Sequence, residues 1–390
     1  MKIYADENMP YVQQFFADFG EVRLFAGREL TAEQLSDADV LLVRSITPVN
    51  ATLLAHAKQL RFVGTATIGT DHIDQAYLAE RSIAFSSAPG CNARAVVEYT
   101  VSALFTLAER YQWQLRDKVI GIVGVGNIGR RLADVLTALG CQLLLCDPIR
   151  AEAEPDFPHC SFEQLIQQAD VLSFHVPQCQ QGPFATRYLI NQQTLAQLKP
   201  DCALLNACRG NVFDNQALLD EAQAGRQRPL VLDVWEQEPD ILLPLLPYVD
   251  IATAHIAGHS VEGKARGTEM LYQQLCQLLS EPVVHSIDTF CPPAAVSAIE
   301  IHRNFRLPDV QNLFKLVYDV RRDDALLRHY IETQGFDWLR KHYPPRRECS
   351  TVRVLGDQLD QLDRMTNAMR TSSTCRANGV INPFNFKWSC

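Results

Sequence analysis

The chain has 390 residues and a formal net charge of -9, with 47% apolar and 21% charged residues. That balance excludes a largely disordered chain, and the absence of any Lys/Arg run argues against a general nucleic-acid binder. At about 100–200 residues per domain, the length predicts two to four domains.

No apolar run reaches the roughly 18 residues of a membrane span. The opening MKIYADENMP turns acidic by Asp6 and does not read as a secretory signal. The 12 cysteines are scattered, with no CxxC pair and no Cys/His metal spacing. They read as reduced thiols of a cytoplasmic protein, and no metal site is expected.

Along the first hundred residues, Lys2–Tyr4, Val40–Val43, Phe62–Gly64 and Ile83–Phe85 read as strands. Helical stretches lie between them, Ala51–Ala57 among them. Ala93–Glu109 contains neither Gly nor Pro and repeats its apolar residues at helical spacing, which predicts a long, mostly buried helix. A second series of strands follows at Val119–Val123, Gln142–Cys146, Val171–Val176, Ala203–Asn206, Leu230–Val234 and Asp250–Ala254. Most are short continuous apolar runs, the pattern of strands buried on both faces. Ser260–Leu279 is a second long helix candidate. After about Thr289 the composition changes, and a charged α+β segment is expected, ending in a loose tail over Thr371–Cys390. The fold class is therefore α/β: two doubly wound, Rossmann-like parallel-sheet domains plus a C-terminal α+β domain.

The strongest motif is Gly124-Val-Gly126-Asn127-Ile128-Gly129, between a buried strand and an amphipathic helix. The first glycine permits the tight turn, the second lets backbone approach a pyrophosphate, and the third lets helix and strand pack closely. The helix N-terminus offers free N–H groups to the phosphates. Asp147 ends the next strand, eighteen residues beyond Gly129. Its carboxylate suits a ribose diol and repels a 2′-phosphate, which favours NAD over NADP, with Arg150 nearby as the countervailing feature. The competing reading is an ordinary strand–turn–helix.

Three candidates follow successive strands: Arg209 in NACRGNVFD, Glu238 in DVWEQEP and His255 in ATAHIAGHS. In an open parallel sheet, ligands bind beyond the carboxyl ends of the strands, so the three are expected in one crevice. Histidine, with an ordinary pKa of ~6.5, suits removal of a hydroxyl proton. A carboxylate beside it favours the protonated form, and an arginine can hold a substrate carboxylate through two parallel bonds. Taken singly, each has an ordinary structural reading; their shared position is what carries the assignment. Asp233 is a candidate for the nicotinamide amide or a turn residue, and Gly258 for a close ligand approach or a simple turn. Ala207, Cys208 and Arg209 are further candidate NAD contacts, the Cys208 thiol itself being read as packing.

GIVGVGNIGRR, NACRGNVFDNQALL, VLDVWEQEP and HIAGHSVEGKARG resemble the D-isomer-specific 2-hydroxyacid dehydrogenases. The resemblance implies that Arg209, Glu238 and His255 are the catalytic trio. It also implies a discontinuous substrate-binding domain over residues 1–94 and 258–288, an NAD domain over 95–257, and a third domain over 289–390. Further segments, YADENMP, VRSITPVN, FVGTATIGTDHID, SAPGCNARAVVEY and LVYDVRRDDALLR, resemble the members that oxidise 4-phospho-D-erythronate to 2-oxo-3-hydroxy-4-phosphobutanoate in pyridoxal 5′-phosphate biosynthesis. Those members imply NAD as cofactor and a homodimer formed through the C-terminal domain. Residue by residue, Ser45 and Thr67 match substrate contacts, and Asp147, Val176, Asp233 and Gly258 match NAD contacts. His259 stands at a substrate-contact position where tyrosine is expected.

A C4 phosphate needs donors away from the trio. Arg44 is the candidate, with one of Arg321, Arg322, Arg346 or Arg347; the competing role for those four is ion pairing with Asp323, Asp324 and Glu348. Two other functions stay open at this point. One is a sibling dehydrogenase such as one acting on 3-phosphoglycerate. The other is a non-enzymatic NAD-sensing co-repressor of the same fold.

Overall fold

A computed structural model describes residues 1–302 and 307–355, together with a short strand at 387–388. The expected loose tail at Thr371–Cys390 therefore lies almost wholly outside the described residues. The chain divides into two units, Met1–Ala93 with His259–Pro293, and Arg94–Gly258 with Ala294–Cys390.

In the first unit, β1 (Lys2–Asp6), β2 (Glu21–Phe25), β3 (Val40–Val43), β4 (Phe62–Thr65) and β5 (Ala84–Ser86) form one parallel sheet in the order β2-β1-β3-β4-β5. The strands alternate sides residue by residue, as a pleated strand must. Ile3, Ala5, Val40, Leu42 and Phe62 enter one apolar cluster. Tyr4, Leu41, Val43 and Val63 enter another. The first cluster is closed by Phe15 and Phe16 of a short helix (Val12–Phe16) and by Leu271, Tyr272 and Leu275 of the long helix Val261–Leu279. Ser260 caps that long helix by accepting a bond from Gly263 N at 2.8 Å.

Two expectations for this unit are corrected. Ala51–Ala57 is a series of turns, not a helix. Its buried Leu54 and Ala57 point carbonyls at Arg81, which donates to them at 3.0 and 2.8 Å, so a distant side chain serves the backbone in place of helical bonds. The edge strand β2, EVRLF, has no counterpart among the expected strands. Only its Phe25 is buried, and Arg23 bonds Glu21 within the strand, so it lacks the apolar run that marks the others.

In the second unit, β6 (Val119–Val123), β7 (Gln142–Cys146), β8 (Val171–Phe174), β9 (Ala203–Asn206), β10 (Leu230–Leu232) and β11 (Ile251–Ala252) form a parallel sheet in the order β11-β10-β9-β8-β6-β7. Chain order reverses between β6 and β8, which places the switch point beside the glycine-rich turn. One face packs on helices Ala93–Arg110 and Asn127–Ala138, the other on Phe162–Gln168 and Asn215–Gln223.

The C-terminal segment is α+β, as expected. Its strands β12 (Ala298–Glu300), β13 (Arg353–Leu355) and β14 (Lys387–Trp388) form a small parallel sheet. Its helices join the core of the second sheet from both sides. Val310, Leu313 and Phe314 of helix Leu307–Val317 enter one cluster. Leu327 and Ile331 of helix Val320–Gln334, with Phe336 and Leu339, enter the other. Among the described residues no helix is long and apolar enough to cross a membrane, and no two cysteines form a disulfide.

Candidate active site

The glycine-rich turn is built as its spacing requires. Gly124 has φ +85°, a left-handed conformation, and a Cβ there would lie 2.7 Å from the His175 carbonyl. A Cβ on Gly129 would lie 2.0 Å from the Gly124 carbonyl. Gly126 differs: nothing lies within 4 Å of the space its Cβ would fill. Open space of this kind is what a pyrophosphate needs to approach a helix N-terminus such as that at Asn127 and Ile128.

Asp147 ties the turn to the next strand. Its Oδ2 accepts from Val125 N at 2.8 Å and its Oδ1 from Arg150 N at 3.0 Å, capping helix Pro148–Ala153. Each oxygen keeps a further acceptor position for a ribose hydroxyl. Arg150, the residue that opposed NAD in the sequence, stays at the turn, where its Nη1 donates to the Val125 carbonyl at 3.3 Å. It pairs with Glu154 at 2.9 Å and stacks 4.4 Å above Phe157. The site's donor set thus fits NAD: an open glycine, a helix N-terminus and an acceptor-only ribose partner. Val176 follows β8 and its Cγ1 stands 2.8 Å from the space beside Gly124, so it lines the same turn.

Glu238 and His255 come together directly. His255 Nδ1 and Glu238 Oε2 are 2.7 Å apart. The other carboxylate oxygen accepts from Trp235 N at 2.9 Å. Burial works to raise the Glu238 carboxyl, but the bonds and charge of His255, with Trp235 N–H, outweigh it and hold it below the usual carboxylate range. A carboxylate on Nδ1 leaves Nε2 as the proton acceptor.

His255 has φ 55°, unusual for a residue with a side chain. Asp233 enforces it. Its carbonyl accepts from His255 N at 2.7 Å, and its fully buried carboxylate accepts from Ile256 N at 2.8 Å and Ala257 N at 2.9 Å. Thr253 Oγ1 donates to the same carboxylate at 2.7 Å, which obliges Tyr99 to donate to Thr253. Burial raises the Asp233 carboxyl against the bonds that favour its charge. Asp233 is thus first a brace for the loop that carries His255 and Gly258. Tyr99 and Thr253 are the residues a sequence reading misses here, since one aromatic in a buried helix and one threonine at a strand end carry no motif.

Arg209 follows β9 and begins a short turn, Gly210–Val212. Its Nη1 donates to the Cys208 carbonyl at 2.8 Å. A Cβ on Gly210 would stand 1.9 Å from the Trp235 carbonyl, so the Arg209 loop lies against the loop that leads to Glu238. Ala207 and Cys208 lie between β9 and Arg209. Cys208 is buried, its thiol donates to Asn206 Oδ1 at 3.2 Å, and burial pushes its pKa up to about 11. It is a packing thiol.

In the first unit, the expected substrate residues sit at the carboxyl ends of strands. Arg44 and exposed Ser45 follow β3, and Arg44 Nη1 donates to the Asn8 carbonyl, just beyond β1, at 3.1 Å. This is the reversal point of the first sheet. Thr67 follows β4, its hydroxyl donating to Gly69 O at 2.8 Å. His259 lies just before the Ser260 cap and is half-buried.

The C-terminal arginines divide. Arg321 pairs with Asp319 at 2.5 Å, and Arg322 stands 3.4 Å from Asp323. Arg346 is 2% exposed and bonded to backbone within its own unit, so it is no phosphate donor. Its burial is the reason: a phosphate cannot reach it.

The model of the D-isomer specific 2-hydroxyacid dehydrogenase NAD binding domain matches residues 97–257, and that of a domain of unknown function, DUF3410, matches 290–368. The chain is 52% identical over 357 residues to the erythronate-4-phosphate dehydrogenase of Pseudoalteromonas translucida, covering 92% of this chain and 96% of that one. It is likewise 52% identical to that of Proteus mirabilis, covering 92% and 95%. Among solved structures, D-lactate dehydrogenase from Aquifex aeolicus, complexed with NAD and lactic acid, shares the fold with a TM-score of 0.60 at 24% identity, covering 71% of this chain and 95% of that one. An NAD+-bound 3-phosphoglycerate dehydrogenase from Entamoeba histolytica does so with a TM-score of 0.61 at 20% identity, covering 72% and 95%. The chain belongs to the erythronate-4-phosphate dehydrogenase family, within the D-isomer-specific 2-hydroxyacid dehydrogenases.

Proposed function

We propose that the protein oxidises 4-phospho-D-erythronate to 2-oxo-3-hydroxy-4-phosphobutanoate with NAD, the step its relatives' name describes and one that belongs to pyridoxal 5′-phosphate biosynthesis. Near-full-length identity of 52% to enzymes of that name supports the substrate. The 2.7 Å Glu238–His255 pair is the single observation that carries the chemistry.

Bound NAD supplies the hydride acceptor. His255 Nε2 takes the C2 hydroxyl proton, and Glu238 favours the imidazolium that results. Arg209 holds the substrate carboxylate with its planar fork. Asp147 takes the ribose diol, and Gly124, Gly126, Asn127, Ile128 and Gly129 take the pyrophosphate. Val176, Ala207, Cys208, Asp233 and Gly258 complete the NAD contacts. Ser45, Thr67, His259 and Arg44 bind substrate, Arg44 toward the phosphate. The position of Arg44 at the reversal point of its sheet supports that role.

The residues 1–94 and 258–288 serve substrate, 95–257 serve NAD, and 289–390 form a homodimer in the cytoplasm. The matched C-terminal family and the lack of a spanning helix among the described residues are compatible with this. The test is formation of NADH from 4-phospho-D-erythronate, with 3-phospho-D-glycerate as the rival substrate. Preference for the rival makes the protein a sibling enzyme. Binding of NAD without turnover of either favours the co-repressor reading.

A further inference from the structure

Arg346 is only 2% exposed, yet it carries a full charge. Its guanidinium lies 3.6 Å over the Tyr318 ring, and its Nη2 is 3.8 Å from Glu98 Oε2. Its Nη1 donates to the Ala257 carbonyl at 3.1 Å and its Nη2 to the Ala95 carbonyl at 2.5 Å. Its surroundings are polar and fixed in turn. Glu98 Oε1 accepts from Cys349 N at 2.9 Å. The Tyr318 and Tyr343 hydroxyls both donate to buried Asp323, at 2.9 and 2.7 Å.

Stability explains this arrangement poorly. Replacing a buried ion pair with apolar side chains of similar volume is often neutral or stabilising. A methionine fills the volume but cannot hold two carbonyls at once. One of those carbonyls belongs to Ala257, two residues after His255. The Ala257 N–H is already held by Asp233, so Ala257 is gripped from both sides. Such a grip matters here because His255 sits at φ 55°, and a strained backbone persists only where its surroundings over-determine it.

We infer that Arg346 is a positioning residue: through the Ala257 carbonyl it holds the loop that sets the His255 imidazole against Glu238, and so makes the C-terminal segment part of the catalytic apparatus. The inference rests on His255 being the base.

The test uses the full-length enzyme with NAD and 4-phospho-D-erythronate. Arg346→Ala is expected to lower kcat by about a hundredfold, the scale of a small misplacement of a catalytic group. The KM for NAD stays near that of the parent, and added guanidinium restores part of kcat where equal urea does not. Arg346→Lys keeps charge and length, so it serves if the alanine variant fails to fold; it is expected to stay folded and lose about tenfold in kcat, since one ammonium cannot copy the fork. A folded variant of either kind with parental kcat overturns the inference. So does a loss of kcat that follows only the folded fraction and does not respond to guanidinium. His255→Asn, run beside them, separates the two claims. If it retains parental turnover, the base assignment fails. If it is inactive while the folded Arg346 variants are not impaired, only the positioning role fails.

Discussion

At His255 the backbone turns left-handed, and the imidazole is aimed at Glu238 by three bonds to Asp233 rather than by its own conformational preference. The pair responds to pH with a definite sign. Glu238 is held below its ordinary range, so its contribution to stability is complete above the unfolded-state value near ~4.3 and is lost as pH falls through the lower folded value. Urea unfolding should therefore find Glu238→Gln less stable than the parent at pH 7, with the gap closing in acid. Arg209→Lys should lose roughly tenfold or more in kcat/KM, since a single ammonium cannot form two parallel bonds to a carboxylate. The positions of Arg209, Glu238 and His255 were legible in the sequence because each follows a continuous apolar strand. Asp233 was legible only as a contact or a turn residue. Its role as a brace emerges from bonds to Thr253, Ile256 and Ala257 that no spacing announces.

The glycine-rich turn separates two kinds of constraint that look alike in a motif. Gly129 is demanded by the fold, whereas nothing fills the space beside Gly126, which the proposed function gives to a pyrophosphate. Gly129→Ala should cost roughly 1–3 kcal/mol, read as a lowered Tm, because the new Cβ collides with backbone. Gly126→Ala should cost clearly less Tm than Gly129→Ala, since its Cβ meets nothing, yet it should weaken NAD in a binding titration. A Tm loss at Gly126 as large as that at Gly129 would contradict this division. Element boundaries followed from the sequence at Val119–Val123 and Ala203–Asn206, both buried on both faces, while the strands at Leu230–Leu232 and Ile251–Ala252 stop two residues short of the expected Val234 and Ala254. Whole elements were misread where burial was one-sided or where a side chain did the work of backbone. The edge strand Glu21–Phe25 is the first case; the turns at Ala51–Ala57, held by Arg81, are the second.

Across the molecule, the net charge of -9 coexists with a proposed substrate bearing a carboxylate and a phosphate, so the proposed recognition is local: Arg209 and Arg44 after strand ends, and a helix N-terminus for the cofactor. The C-terminal segment was legible as a change of composition but not as a partner of the nucleotide sheet. Its helices contribute Phe314, Leu327 and Phe336 to cores that the preceding strands begin, and Arg346 reaches the Ala257 carbonyl. If this segment also forms the dimer, sedimentation equilibrium should return twice the 43.8 kDa chain mass; a monomer would remove it as a dimerisation domain. The proposed chemistry turns on His255, set by Glu238, as the base in the oxidation of 4-phospho-D-erythronate. NADH formation from that substrate and from 3-phospho-D-glycerate, by the parent and by His255→Asn, tests it. The parent should strongly prefer 4-phospho-D-erythronate, with turnover lowered in the variant by about a hundredfold or more while NAD binding persists. Equal turnover by the variant, or preference for 3-phospho-D-glycerate, would contradict it.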